Sequence, residues 1–167
     1  MHILIATDAD WIVDEVTGAL GGPETSFTVC RDGRAVAGVV LERTPDLAIL
    51  DLQVGSMGGM ATMMALRLDE SGGTSPHVRA IMLLDRQADV FLAQRSDADG
   101  WLIKPLDALR LRRAMIAVTD GGTYYEGMPA ADEPTPHPVG DADGDGVESE
   151  IDLEDGSASE EEPATAG

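Results

Sequence analysis

Short apolar runs and amphipathic stretches alternate along roughly the first 120 residues. Residues 3–6 are wholly apolar and end at Thr7-Asp8, which predicts a strand. Residues 10–20 then place Ile12, Val16, Ala19 and Leu20 at helical spacing and stop at Gly21-Gly22-Pro23. A second strand is predicted over 27–30, with a helix near 34–43. A third apolar run, 47–50, ends in Asp51, and the Gly-rich loop 55–59 leads into a helix from 60 to about 69. The fourth strand, 80–84, ends at Asp85 and precedes a helix over roughly 87–95. The fifth, 100–103, is closed by Lys104-Pro105, and 106–118 reads as the last helix.

Strands that are apolar on both faces and alternate with helices predict a parallel sheet covered by helices on both sides. The fold class is therefore α/β, a doubly wound five-stranded sheet. A folded domain is expected over 1–120. Its functional crevice should lie beyond the carboxyl ends of the strands, where the strand order reverses.

The last part of the chain has a different composition. From Glu126 to Gly167 there are 14 acidic residues and no Lys or Arg, and Pro129, Pro134, Pro136 and Pro138 interrupt its start. So little apolar surface cannot offset the entropy of ordering, and 121–167 is expected to be a disordered acidic tail. Its Asp141-Ala142-Asp143-Gly144-Asp145-Gly146 matches half of a calcium loop. Glu148 and Asp152 stand at the wrong places and no helix pattern flanks it, so a solvated acidic run is the default.

Whole-chain charge adds exclusions. Eleven basic against 31 acidic side chains give a net charge of −20. This argues against a nucleic-acid partner and against docking on anionic membranes. Cys30 alone rules out a disulfide framework. No run approaches the roughly 20 apolar residues of a membrane span, and no signal pattern opens the chain, so a cytoplasmic protein is expected. His2, His77 and His137 have no metal-ligand spacing. Met57, Met60, Met63 and Met64 read as loop and core packing.

Chemistry collects at the predicted strand ends: Asp8, Asp51, Asp85 and Lys104. Lys104 is the only lysine, all ten other basic residues being arginines, which suits a place that needs a compact ammonium. Carboxylates crowded together repel by a few kcal/mol unless a cation joins them. The oxygens of Asp8 and Asp51 suit Mg²⁺.

Two segments carry a family resemblance. Residues 45–52, Pro-Asp-Leu-Ala-Ile-Leu-Asp-Leu, continued by Gly55-Ser56-Met57-Gly58-Gly59-Met60, resemble the receiver domain of bacterial response regulators around its acceptor aspartate. Residues 99–107, with Trp101 three before Lys104 and Pro105 after it, are similar to that family's fifth strand. The resemblance covers residues 2 to about 118 and implies a flavodoxin-like sheet of order 2-1-3-4-5. It further implies that Asp51 accepts a phosphoryl group from a phosphohistidine of a sensor histidine kinase or phosphotransfer protein. Asp8, Asp51 and the backbone carbonyl of Gln53 would ligate Mg²⁺, and Lys104 would hold a phosphoryl oxygen. The Lys104–Pro105 peptide would be cis, and Trp101 would be the aromatic switch residue, with plain packing as its other reading.

Two departures qualify the resemblance. Receivers carry two adjacent acids after the first strand; here the first is Thr7, which should weaken Mg²⁺ binding. They also carry a Ser or Thr at the end of the fourth strand, whereas no hydroxyl occurs from residue 76 to 95. Leu84 or Asp85 stands there: leucine cannot donate a hydrogen bond, and a carboxylate would repel the phosphoryl group. Asp85 reads equally as a site member or as a helix cap, and Asp10 reads as the cap of the first helix.

The leading expectation is a single-domain, non-enzymatic response regulator. It would signal by protein contact without a DNA-binding output domain, to an unknown downstream protein or as a homodimer. A pseudo-receiver that works without phosphorylation is the second reading. A phosphohydrolase of the haloacid dehalogenase type, using Asp8 and Asp10, is the third.

Overall fold

The structure is a computed structural model that describes residues 1–128. The expected acidic tail beyond 128, with its calcium-like loop, lies outside the described residues. The elements run β1 (His2–Ala6), α1 (Asp10–Leu20), β2 (Ser26–Cys30), α2 (Val36–Glu42), β3 (Leu47–Asp51), α3 (Gly59–Ser71), β4 (Ala80–Leu84), α4 (Val90–Arg95), β5 (Gly100–Ile103), α5 (Ala108–Thr119) and β6 (Tyr124–Tyr125). All strand pairs are parallel, in the order β2-β1-β3-β4-β5-β6.

Alternation inside the apolar strands divides the core in two. Leu4, Ala6, Leu50, Met82 and Leu84 face Val36, Val40, Met63 and Val90, under α2, α3 and α4. Ile3, Ile5, Ile49, Ile81 and Leu83 face Ile12, Val16, Leu111 and Val118, under α1 and α5. With both faces covered, β1, β3 and β4 are buried at every position. This is why their sequences are continuous apolar runs rather than alternating ones.

The helices differ in detail from the reading of the sequence. The expected fourth helix is a 3₁₀ turn, Gln87–Asp89, followed by only six α-helical residues. A similar turn, Gly33–Ala35, precedes α2 and is capped by the Asp32 carboxylate. Asp10 caps nothing: it is the first residue of α1 and pairs with Arg31 at 2.5 Å. Asp107 is the true cap of α5, accepting from the N–H groups of Leu109 and Arg110. Met63 is core, whereas Met57 and Met64 are exposed.

The sheet has six strands, not five. Tyr124–Tyr125 adds a short strand to the β5 edge, beyond the expected domain end at 120. Tyr125 stacks on Trp101 with ring centroids 4.2 Å apart. The Glu126 carbonyl accepts from Trp101 Nε1 at 2.8 Å. Its carboxylate accepts from the Ile103 backbone N–H at 2.7 Å and from Arg110. The composition of the tail concealed this strand, because two tyrosines and one glutamate form no periodic pattern.

Glu126→Ala leaves the part-buried Ile103 N–H without its acceptor, at a cost of about 1–3 kcal/mol. In a Trp11→Phe background it should lower the urea midpoint and shift Trp101 emission to the red. An unmoved midpoint and spectrum would show that the strap formed by residues 124–126 is held by something else.

Candidate functional site

The chain runs from β1 outward to β2 and then returns past β1 to β3, so the strand order reverses between β1 and β3. In doubly wound sheets the functional crevice lies beyond the carboxyl ends of the strands at such a reversal. Asp51, the last residue of β3, sits at its floor and is only 2% exposed. A carboxylate this buried needs partners, because desolvation without them costs several kcal/mol.

Three donors meet it. Its Oδ1 accepts from the Lys104 ammonium at 2.6 Å and from the Gln53 backbone N–H at 3.2 Å. Its Oδ2 accepts from the Thr7 hydroxyl at 2.8 Å. Thr7 is fully buried at the end of β1, and its oxygen in turn accepts from the Ala9 N–H at 3.1 Å. The sequence signalled Thr7 only as a missing acid; its second function as a donor to Asp51 emerges from the pairing of β1 with β3.

The loop after Asp51 explains its glycines. The backbone turns back so sharply that Gly59 N–H bonds the Leu52 carbonyl at 3.0 Å. A Cβ on Gly59 would stand 2.4 Å from the Asp51 carbonyl, and Gly58 has φ +73°. Only glycine meets both demands without strain.

Lys104 follows β5, and its backbone N–H bonds the Leu84 carbonyl at 2.8 Å. The Lys104–Pro105 peptide is cis. Besides Asp51, the ammonium donates to Asp85 Oδ1 at 2.7 Å, and it lies 5.8 Å from the Trp11 ring centroid. Asp85 is therefore a member of the site and not a helix cap, while the Leu84 side chain is buried in the core. Trp101 is 3% exposed and held under the strap.

Charge tuning follows from these contacts. Burial pushes the Asp85 carboxyl up, but hydrogen bonds from Lys104 and Gln53 and the charges of Lys104 and Arg86 outweigh it and hold it below the ordinary range. Burial likewise pushes Lys104 down, but Asp51 and Asp85 together hold it above the ordinary lysine value.

Asp8 is exposed after β1; a Cβ on Gly55 would lie 3.4 Å from its Oδ2. Among the described residues no three acidic, His or Cys side chains gather closely enough to hold a metal by themselves. Mg²⁺ takes one or two carboxylates and keeps several waters. Asp8 and Asp51 carry oxygens of the kind that ion takes. Asp10 instead pairs with Arg31 and is 86% exposed.

A doubly wound sheet with a buried aspartate closing β3, an acid after β1 and a lysine after β5 defines the receiver class of signalling domain. Residues 3–116 match the response regulator receiver domain. The chain belongs to that family. It is 31% identical over 106 residues to the DNA-binding response regulator MtrA of Mycobacterium tuberculosis (strain ATCC 25618 / H37Rv), covering 62% of this chain and 44% of that protein. It is 30% identical over 94 residues to the nitrate/nitrite response regulator NarP of Escherichia coli (strain K12), covering 56% and 42%. The chain thus aligns with less than half the length of these curated relatives. Among solved structures, the signal receiver domain of a histidine kinase from Syntrophus aciditrophicus superposes with TM-score 0.63 at 22% identity, over 78% of this chain and 98% of that one. At that identity the likeness shows the fold. Receiver domains are signalling modules, not typical enzymes. They generally bind Mg²⁺ at the acidic pocket and interact with histidine kinases or phosphotransfer proteins. Among the described residues no helix is long and apolar enough to cross a membrane.

Two outcomes test the charge arrangement. Thr7→Val leaves Asp51 Oδ2 unsatisfied and should cost about 1–3 kcal/mol in urea unfolding; an unchanged midpoint would mean that Oδ2 has another donor. The pH profile is bounded on both sides. Asp85 titrates lower when folded, so its stabilisation is present above pH ~4 and fades as pH falls through the depressed value. Lys104 titrates higher when folded, so its contribution is complete below pH ~10.4 and fades above it. Lys104→Met should flatten the alkaline limb.

Proposed function

We propose that this chain is a phosphoacceptor receiver in which Asp51 takes a phosphoryl group from a phosphohistidine on a sensor histidine kinase or phosphotransfer protein. The observation that carries this reading is the buried Asp51–Lys104 pair, 2.6 Å apart at the floor of the crevice. An Asp51 oxygen attacks phosphorus, the bond from phosphorus to the donor breaks, and an acyl phosphate forms. The carboxylate is the nucleophile, and no base is required. Gln53 N–H and Thr7 orient its two oxygens before attack, and its burial keeps water scarce. Lys104, already in contact, turns its ammonium toward the arriving phosphoryl oxygens.

Asp8, Asp51 and the Gln53 carbonyl would hold Mg²⁺, which supplies charge neutralisation to the transferring group. Thr7 stands where a second acid would reach the metal through water, so affinity is low. Output passes by protein contact to a downstream partner.

The pseudo-receiver reading has one observation in its favour. Leu84 is buried and apolar at the end of β4, so the hydroxyl that would bond the phosphoryl group is missing there. Phosphorylation would then change the outer face less than it does in a receiver that carries that hydroxyl.

With acetyl phosphate and Mg²⁺, intact-mass measurement should show one phosphoryl group on the wild type and none on Asp51→Asn. Wild type and Asp85→Asn that both stay unlabelled at millimolar donor would sink the acceptor reading in favour of the pseudo-receiver. Thr7→Asp should tighten Mg²⁺ by about 10–100-fold, as outer ligands do; calorimetry showing equal affinity would place the metal elsewhere.

A further inference from the structure

The Lys104 ammonium serves two carboxylates at once, Asp51 at 2.6 Å and Asp85 at 2.7 Å. The first is explained by the reading above. The second is not: a lysine reserved for a phosphoryl group has no need of another anion. Asp85 follows directly on Leu84, whose carbonyl fixes the Lys104 backbone, so the register of β4 and β5 aims this carboxylate at the ammonium. Its side chain is 35% exposed while that of Lys104 is 12% exposed. The acid therefore approaches from the solvent side, the side from which a phosphoryl group must also arrive.

We propose that Asp85 is a resident anion that competes with the incoming phosphoryl group for Lys104, and so sets how readily Asp51 is phosphorylated. The proposal rests on Asp51 being the acceptor. Transfer adds phosphoryl oxygens beside Asp51, within reach of the same ammonium. Like charges held this close disfavour each other's ionised form. Asp85 must swing outward, which its partial exposure allows, or the acyl phosphate forms slowly and is short-lived.

The test compares wild type, Asp85→Asn and Asp51→Asn at saturating Mg²⁺. With acetyl phosphate, an Asp51 oxygen bonds phosphorus, the bond from phosphorus to the acetyl oxygen breaks, and acetate leaves with the electron pair. Asp85→Asn should be labelled about tenfold faster than wild type, the effect of removing one nearby like charge. A second readout avoids transfer altogether. In a Trp101→Phe background, Trp11 reports on the Lys104 ammonium beside it, and beryllium fluoride serves as the probe. Asp85→Asn should respond at about a tenfold lower concentration. Equal labelling rates together with equal beryllium fluoride midpoints would overturn the competition. No labelling of any variant, with the beryllium fluoride midpoint still lower in Asp85→Asn, would remove Asp51 as acceptor but leave the competition at Lys104 standing. No labelling and no response to the probe in either protein would overturn both.

Discussion

Everything at the carboxyl rim depends on one ammonium group placed between two carboxylates. Asp51 is buried to 2% at the end of a fully buried strand. An ionised carboxylate there is tenable only with a cation and further donors around it. Lys104 is that cation, and it reaches the site because β5 lies beside β4, two strands from Asp51. The pair couples the floor of the crevice to the strand that carries Trp101 at its centre and the β6 strap at its edge.

The departures from the receiver pattern all fall on this same charge cluster. Thr7 replaces an acid with a hydroxyl donor, which removes a negative charge and adds a hydrogen bond to Asp51. Asp85 adds a negative charge on the other side, against Lys104. The acid count at the rim is therefore conserved, but a negative charge has moved from the end of β1 to the end of β4, where it gives Lys104 a second carboxylate partner. Leu84 supports the same picture, since no hydroxyl on β4 draws Lys104 or a phosphoryl group toward the outer face.

The β5 edge shows a second adaptation. An open edge strand exposes unpaired backbone groups, and here Tyr124–Tyr125 closes it. Glu126 then satisfies both the Ile103 N–H and Trp101 Nε1, through its carboxylate and its carbonyl. Trp101 is held inward by stacking on Tyr125 and by the hydrogen bond it donates to the Glu126 carbonyl, both residues that follow α5. The position of this aromatic residue is thus tied to the segment beyond α5.

The sequence determined the first five strands, their order of occurrence and the acids and lysine at their ends, because continuous apolar runs closed by charged residues are local patterns. The Gly55–Gly59 loop was legible for the same reason, its glycines being demanded by the sharp return of the chain past Asp51. Helix caps were less legible: α1 starts at Asp10 itself, whose carboxylate pairs with Arg31, whereas α5 is capped by Asp107. Only the tertiary structure decided that Thr7 donates to Asp51, that Asp85 belongs to Lys104, and that Glu126 closes the β5 edge. Each of these joins residues far apart in the chain through strand register, and register is fixed by how two sheet faces pack, which no single segment encodes.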